Sequence, residues 1–195
     1  MTRATNGSGA VGMAATRGPG EEERILQQAR GNPAAFAPIY ERYFTRVYGY
    51  CFCRVSRAAE AEELTGRIFT RALADLPTYR RGSAAVWLFR IAHLAVAGYL
   101  RDRGPAGPDT AATVGTPAAT AGADWAVRSE EMARMARLIV ALPAPEQDLL
   151  ALKIAGELST QQVGAVLGMS EAAIRAWLHR TVRRLRRAYI QAEQE

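Results

Sequence analysis

The chain has 195 residues, 49% of them hydrophobic, which suffices for one ordinary domain or two small ones with real cores and excludes a wholly disordered protein. Lys and Arg total 25 against 19 Asp and Glu, a net charge of +6 with a pI near 9.8, so nucleic acid or another anionic surface comes first among partners. Lys153 is the single lysine; the planar guanidinium forks of the remaining basic residues suit phosphates and guanine edges, although an arginine and alanine excess also follows from genomic base composition. The longest charge-free apolar run in a helix-like segment, 91–100, is about half of what a membrane span needs, so no membrane insertion is expected. Residues 1–20 hold no apolar block of the length a secretory signal requires, and a cytoplasmic location is expected. Cys51 and Cys53 stand at i and i+2, on different sides of a helix. With only His93 and His179 elsewhere they form no closed set of soft ligands, so core packing is expected of them, with no metal and no other cofactor.

Composition breaks the chain into a flexible tail (1–20), a folded part (21–103), a linker (104–124) and a second folded part (125–195). The tail is rich in Gly, Ala and Thr without periodicity. The linker has three prolines, four glycines and no aromatic residue, and carries a net charge of −2 between folded parts of +4 and +2. Such a coil reaches roughly 70 Å at full extension and averages about 25 Å, which leads to an expectation of two mechanically independent regions.

In the first part, Phe36, Tyr40, Tyr43, Phe44, Val47, Cys51 and Val55 recur at steps of three and four and predict one buried helical face. A second helix over about 59–76 stops before Pro77, with Leu64, Ile68, Ala72 and Leu76 as its stripe and Glu63, Gly66, Arg67 and Thr70 on another face. After a loop at 77–82, a third helix over 83–103 carries Leu88, Ile91, Ala92, Ala95 and Tyr99 on one side and Trp87, Arg90, Leu94, Gly98 and Arg101 on the other.

The second part is also helical by pattern. Met132, Met135, Ile139 and Leu142 form a stripe ending at Pro143, and a short helix over about 146–155 follows. Ser159-Thr160-Gln161-Gln162 fits a capping box, in which the Ser159 hydroxyl accepts from the Gln162 amide while the Gln162 side chain reaches back. Gly168 supplies a left-handed terminator, Ser170 caps the next helix, and Ile174, Leu178, Val182 and Leu185 point inward. Short helix, glycine turn and longer helix make a helix-turn-helix. The outer side of its last helix presents Ser170, Glu171, Ala172, Arg175, Ala176, His179, Arg180 and Arg183, and six arginines fall within 175–187. Small and hydrogen-bonding residues in the first turns reach base edges in the major groove, with cations near phosphates after them. A solvated cationic face is the plain alternative.

These two halves resemble the extracytoplasmic-function sigma factors, the small bacterial promoter-recognition subunits of RNA polymerase. The first match is EELTGRIFTRALADLPTYRRGSAAVWLFRIAHLAVAGYLRDR, similar to the domain that binds the polymerase clamp and the minus-ten element. The second is ALPAPEQDLLALKIAGELSTQQVGAVLGMSEAAIRAWLHRTVRRL, similar to the minus-thirty-five reader. The resemblance spans about 34–103 and 130–187, and its specificity lies in the order of the two stretches around a loose linker. It implies an all-α protein of two small helical domains joined by a flexible linker.

The resemblance also implies site residues. Glu62, Glu63, Leu64, Arg67 and Phe69 would meet the polymerase clamp; Gly66 and Arg67 replace a glutamine and an acid of the family pattern, so one charge is reversed, and Leu73 replaces a tryptophan. Tyr79, Arg80, Arg81, Trp87, Arg90 and Arg101 would hold the melted strand, because an unstacked base needs an aromatic or guanidinium plane while arginines neutralise phosphates. Trp87 fits a core anchor equally well. Leu94 and Gly98 stand where the family often has asparagine and aspartate, which implies an altered or weaker proximal contact. In the second half, Arg175 and Arg180 match basic positions of the final helix. Trp177 departs from the pattern and reads as a backbone contact or as an anchor against Gln161; Gly164 replaces an alanine at a modest propensity cost.

The function implied is a sigma factor, with core RNA polymerase and promoter DNA as partners and an anti-sigma factor admitted among them. A free-standing helix-turn-helix regulator that acts without polymerase is the rival, and an RNA-binding helical adaptor a third reading. No phosphate-cradling glycine loop, paired His and Cys, or catalytic triad is present, so no enzyme is expected.

Overall fold

The computed structural model describes residues 19–104 and 134–192, and within these every regular element is helical. The linker beyond Gly104, the tail up to residue 18 and Met132 lie outside the described residues.

The first region is built from α1 (Pro19–Ala29), a 3₁₀ turn (Pro33–Phe36), α2 (Ala37–Val55), α3 (Ala58–Asp75), a 3₁₀ turn (Leu76–Thr78) and α4 (Ala84–Arg103). Local chemistry sets these bounds. Asn32 accepts from the Ala34 amide and Pro33 follows it, α3 tightens into a 3₁₀ turn at Pro77, and Ser83 caps α4 by accepting from the Val86 amide. All four stripe residues of α3, Leu64, Ile68, Ala72 and Leu76, are buried as expected. On α2 the expectation is half met. Phe36, Tyr43, Val47, Cys51 and Val55 are buried, but Tyr40 and Phe44 are 44% and 39% exposed, and Tyr50 is fully buried in their stead. A row of near-parallel rings, Phe44, Tyr48 and Phe52, runs along the outside of α2, with Phe69 of α3 behind Tyr40 and Phe44.

The second region consists of a helix over 134–140 (α5), α6 (Ala144–Ile154), α7 (Thr160–Leu167) and α8 (Glu171–Ala192). The capping box forms as expected: the Gln162 amide donates to Ser159 Oγ at 3.1 Å and the Ser159 amide donates to Gln162 Oε1 at 2.8 Å. Gly168 closes α7 at φ 70, and Ser170 Oγ accepts from the Ala173 amide at 3.2 Å. On α8, Ile174 is buried, but Val182 is 54% exposed and Thr181 takes the inward position.

The two regions, expected to be mechanically independent, touch one another in the structure. Helices α2 and α4 pack against α6 and α7, and one apolar core runs from Leu26, Tyr50 and Phe89 through Leu149, Leu152 and Val163 to Ile174. Small residues make this approach close. A Cβ on Gly49 would lie 3.4 Å from the Ala155 Cβ, and one on Gly156 would meet Phe89 at 2.9 Å. A polar seam crosses the apolar one. The Tyr50 hydroxyl donates to Asp148 Oδ1 at 2.5 Å, Arg46 donates to the Gly156 carbonyl through Nε at 3.0 Å and a terminal nitrogen at 2.5 Å, and Arg54 donates to Gln147 at 2.8 Å.

Candidate functional site

Three surfaces gather the residues singled out by sequence. The first is the outer side of α8. Ser170, Glu171, Ala172, Arg175, Ala176, His179, Arg180 and Arg183 are all exposed along it, as a groove-reading helix requires. Its geometry depends on the turn before it. A Cβ at Gly164 would lie 2.6 Å from the Met169 carbonyl oxygen, so glycine there lets the turn close over α7, a larger role than a propensity cost. Arg175 donates to Glu171 Oε1 at 3.0 Å, an i,i+4 pair between exposed side chains that a base edge can displace. Past the first turns, Arg180, Arg183, Arg184 and Arg187 line one depression. Arg184 is already engaged, donating to both Glu146 oxygens at 2.9 and 3.0 Å, which ties α8 to α6.

The second surface is α4 with the loop before it. Arg80, Arg81 and Arg101 present exposed side chains. Tyr79 does not: its ring is buried, its hydroxyl donates to the Gly82 carbonyl at 2.7 Å, and it meets Trp87 edge-on at 5.3 Å between centroids. Burial raises the Tyr79 hydroxyl above its ordinary pKa. Tyr79 therefore shapes the loop rather than offering a face to a base. Helix α1 pins the same loop, Gln27 donating to the Arg80 carbonyl at 2.8 Å and Arg30 to the Pro77 carbonyl at 3.2 Å. Arg90 is already engaged: its Nε and a terminal nitrogen donate to the Ala165 carbonyl of α7 at 3.0 and 2.7 Å. Nearby, Gln162 Nε2 lies 3.3 Å from Ser83 Oγ. Leu94, further along α4, is exposed.

The third surface is the outer face of α3. Glu62, Glu63 and Arg67 are exposed around a shallow depression with Gly66, Thr70, Arg71 and Ala74. Arg67 donates to Glu63 one turn back, so the reversed charge is spent largely within the helix. Leu64 and Phe69 are buried, and their contribution is to hold α3 in place. Tyr40, Phe44 and Leu73 extend this face with exposed apolar area.

Residues of the seam escaped the sequence reading. Asp148 is buried and accepts from the Tyr50 hydroxyl, while His93 Nδ1 at 2.7 Å and Arg54 Nε at 3.5 Å lie beside it at ion-pair distance. The carboxylate beside it lifts the His93 pKa above its ordinary value against the lowering effect of burial, and burial with the adjacent Asp148 charge raises Tyr50. An acid directly before Leu149-Leu150-Ala151-Leu152 was the available signal. Trp177 is half-buried and lines a cavity at this seam with Arg54, His93, Leu100, Leu167 and Met169. Cys51 is buried with its thiol pushed up to about 11, and no cluster of His, Cys, Asp and Glu among the described residues could hold a metal ion. Among the described residues no helix is long and apolar enough to cross a membrane.

Two family patterns match the chain, Sigma-70 region 2 over residues 39–105 and Sigma-70 region 4 over residues 132–185. The ECF RNA polymerase sigma factor SigW of Bacillus subtilis is 25% identical over 177 residues, covering 85% of this chain and 95% of that protein. BldN of Streptomyces coelicolor, also an ECF RNA polymerase sigma factor, is 28% identical over 169 residues, covering 85% of this chain and 64% of that protein. In structure, CnrH in complex with the cytosolic domain of CnrY aligns with a TM-score of 0.64 at 22% identity, over 87% of this chain and 97% of that one. The sigma factor RpoE of Bartonella quintana, in complex with the anti-sigma factor NepR, aligns with a TM-score of 0.60 at 19% identity, over 80% and 96%.

Proposed function

Because the chain belongs to the extracytoplasmic-function group of the sigma-70 family, we propose that its three surfaces divide the work of starting transcription. As a sigma factor it binds core RNA polymerase and directs it to promoters. Residues 21–103 serve the clamp and the minus-ten element, 104–124 span the gap, and 125–195 read the minus-thirty-five element. On α3, Glu62 and Glu63 meet a basic clamp surface while Leu64 and Phe69 hold the helix beneath them. On α4 and its loop, Arg80, Arg81, Trp87, Arg90 and Arg101 hold the melted strand. On α8, Glu171 and Arg175 read base edges and Arg180 and Arg183 contact phosphates. The protein acts in the cytoplasm, by positioning rather than by covalent chemistry. CnrH and RpoE are seen with CnrY and NepR, and a partner of the anti-sigma kind is proposed here as well.

The observation that carries this reading is the exposed polar side of α8 behind a fully capped turn, in one chain with Glu62 and Glu63 exposed on α3. Reconstitution with core polymerase and transcription from genomic fragments tests it. Start sites that require this protein, sharing two spaced elements, are the expected result. Selective duplex binding by the chain alone, with no transcription in the presence of core enzyme, would favour a free-standing regulator.

A further inference from the structure

Arg80 and Arg81 stand on a loop whose own bonds secure its ends. The Tyr79 amide donates to the Leu76 carbonyl at 3.1 Å, and its buried hydroxyl donates to the Gly82 carbonyl at 2.7 Å. Gly82 turns the chain at φ 115, in the region that favours glycine, and Ser83 then caps α4. Between these points Arg80 and Arg81 are exposed, and the peptide that joins them is held from outside the loop.

The hold comes from α1. Gln27 Nε2 donates to the Arg80 carbonyl at 2.8 Å, Arg30 donates to the Pro77 carbonyl at 3.2 Å, and a second Arg30 nitrogen donates to Gln27 Oε1 at 3.3 Å. That last bond turns the Gln27 amide so that its nitrogen meets the loop. Because a peptide is planar, holding the Arg80 carbonyl constrains the torsions on both sides of it, and with them the directions in which the Arg80 and Arg81 side chains leave the backbone. Helix α1 is itself well anchored. Leu26 and Ala29 are buried, and Glu22 accepts from Arg42 at 2.7 Å and from the Tyr43 hydroxyl at 3.1 Å.

We propose that Gln27 and Arg30 are positioning residues for the strand-holding loop, so that α1 braces Arg80 and Arg81 in a ready-made arrangement for the melted strand. This rests on the sigma-factor reading of that loop. Neither Gln27 nor Arg30 needs to touch DNA. A loop already ordered when the strand arrives loses less freedom on binding, and the saving appears as affinity. Each bond at such a site contributes a factor of about two to ten, enough to bias the loop while α1 stays folded on its buried side. None of the α3 residues assigned to the clamp takes part in these bonds, so polymerase association is independent of them.

The test uses Gln27→Met, which keeps the length and helix preference of the side chain and removes its donor, and Arg30→Met, which removes the second. The loop supplies its own probe, since trypsin cleaves after Arg80 and Arg81. In the full chain, cleavage there, measured by mass spectrometry against cleavage after the exposed Arg175, should be several-fold faster in either variant. Affinity for a fluorescent single-stranded oligonucleotide of mixed sequence should fall about three- to tenfold. Promoter opening should fall with it, while Tm and association with core polymerase stay as in the wild type. Unchanged cleavage after Arg80 and Arg81, unchanged oligonucleotide affinity, or an equal loss of polymerase association would each overturn the brace. If the wild-type chain directs no transcription with core polymerase, the sigma-factor reading fails instead, while loop cleavage and oligonucleotide affinity still decide whether α1 braces the loop.

Discussion

Arg175 on α8 and Arg90 on α4 carry the same chemistry and stand in opposite situations. Arg175 pairs with Glu171 one turn away, both exposed, and such a local pair is worth about 0.3–0.5 kcal/mol, little enough for a base edge to displace. Arg90 bonds to a carbonyl 75 positions along the chain, on the α7 helix of the other packed region. The difference teaches that the availability of a nucleic-acid contact depends less on the residue than on whether its resting partner is local or belongs to another packed region.

The strongest way to break this comparison is at Asp148. Replacing Asp148 with alanine removes the acceptor of Tyr50 and leaves Arg54, whose side chain is only 6% exposed, as a buried charge without its carboxylate. The seam should lose about 3–5 kcal/mol and open, which would expand the molecule in small-angle scattering. Binding of distal-element duplex by α8 should stay as it was, and an unexpanded molecule would deny Asp148 this role.

At the open reader, Arg175→Ala should cost about 1–3 kcal/mol and relax preference at one base pair. Arg183→Ala should weaken all sequences alike and reduce the slope of log K against log salt by about one unit. Titrations of specific and random duplex at several salt concentrations separate the two; equal losses for both variants would remove Arg175 from base reading.

The seam should also respond to pH through His93, with a smaller effect. Asp148 raises the His93 pKa above its ordinary value of about 6.5, with Tyr50, Arg54 and Asp148 as the neighbours that face it. A raised pKa in the closed state means that protonation favours closure. The contribution is fully present below the ordinary value and is lost as pH rises through the raised one. Small-angle scattering should therefore show the wild-type molecule expanding as pH rises through that window, while His93→Gln shows no such change.

The smallest expected effect lies on α3. Arg67→Glu exchanges an i,i+4 attraction with Glu63 for a repulsion, a loss of a few tenths of a kcal/mol in helix stability, while presenting two added units of negative charge to a basic clamp. Association with core polymerase should tighten, mainly through a faster on-rate at low salt. Unchanged or weaker association would argue against this docking face.

Signals that act within one turn were legible in the sequence. The Ser159 and Gln162 box, the Gly168 terminator, the Ser170 cap and the α3 stripe each depend on residues within four positions of one another, and each stands where expected. Choices between adjacent stripes were not. Tyr40 and Phe44 share the spacing of Tyr43 and Val47, and Val182 adjoins Thr181; which member of each set faces inward depends on what lies across from it. The same holds for the candidate site. The outward residues of α8 were readable from the helix period, but Leu64, Phe69 and Tyr79 matched a contact pattern while their side chains belong to the core.

By itself, then, the sequence determined an all-helical chain, its caps and turns, the helix-turn-helix and the residues along its outer side, because these follow from short-range hydrogen bonding and a 3.6-residue period. Only the tertiary structure decided that α6 and α7 rest on α2 and α4. That arrangement arises where Gly49, Ala155 and Gly156 are small enough for the helices to approach and where Tyr50, His93 and Arg54 find one shared carboxylate at Asp148. Complementarity of this kind joins positions about 100 residues apart and leaves no periodic trace in either segment.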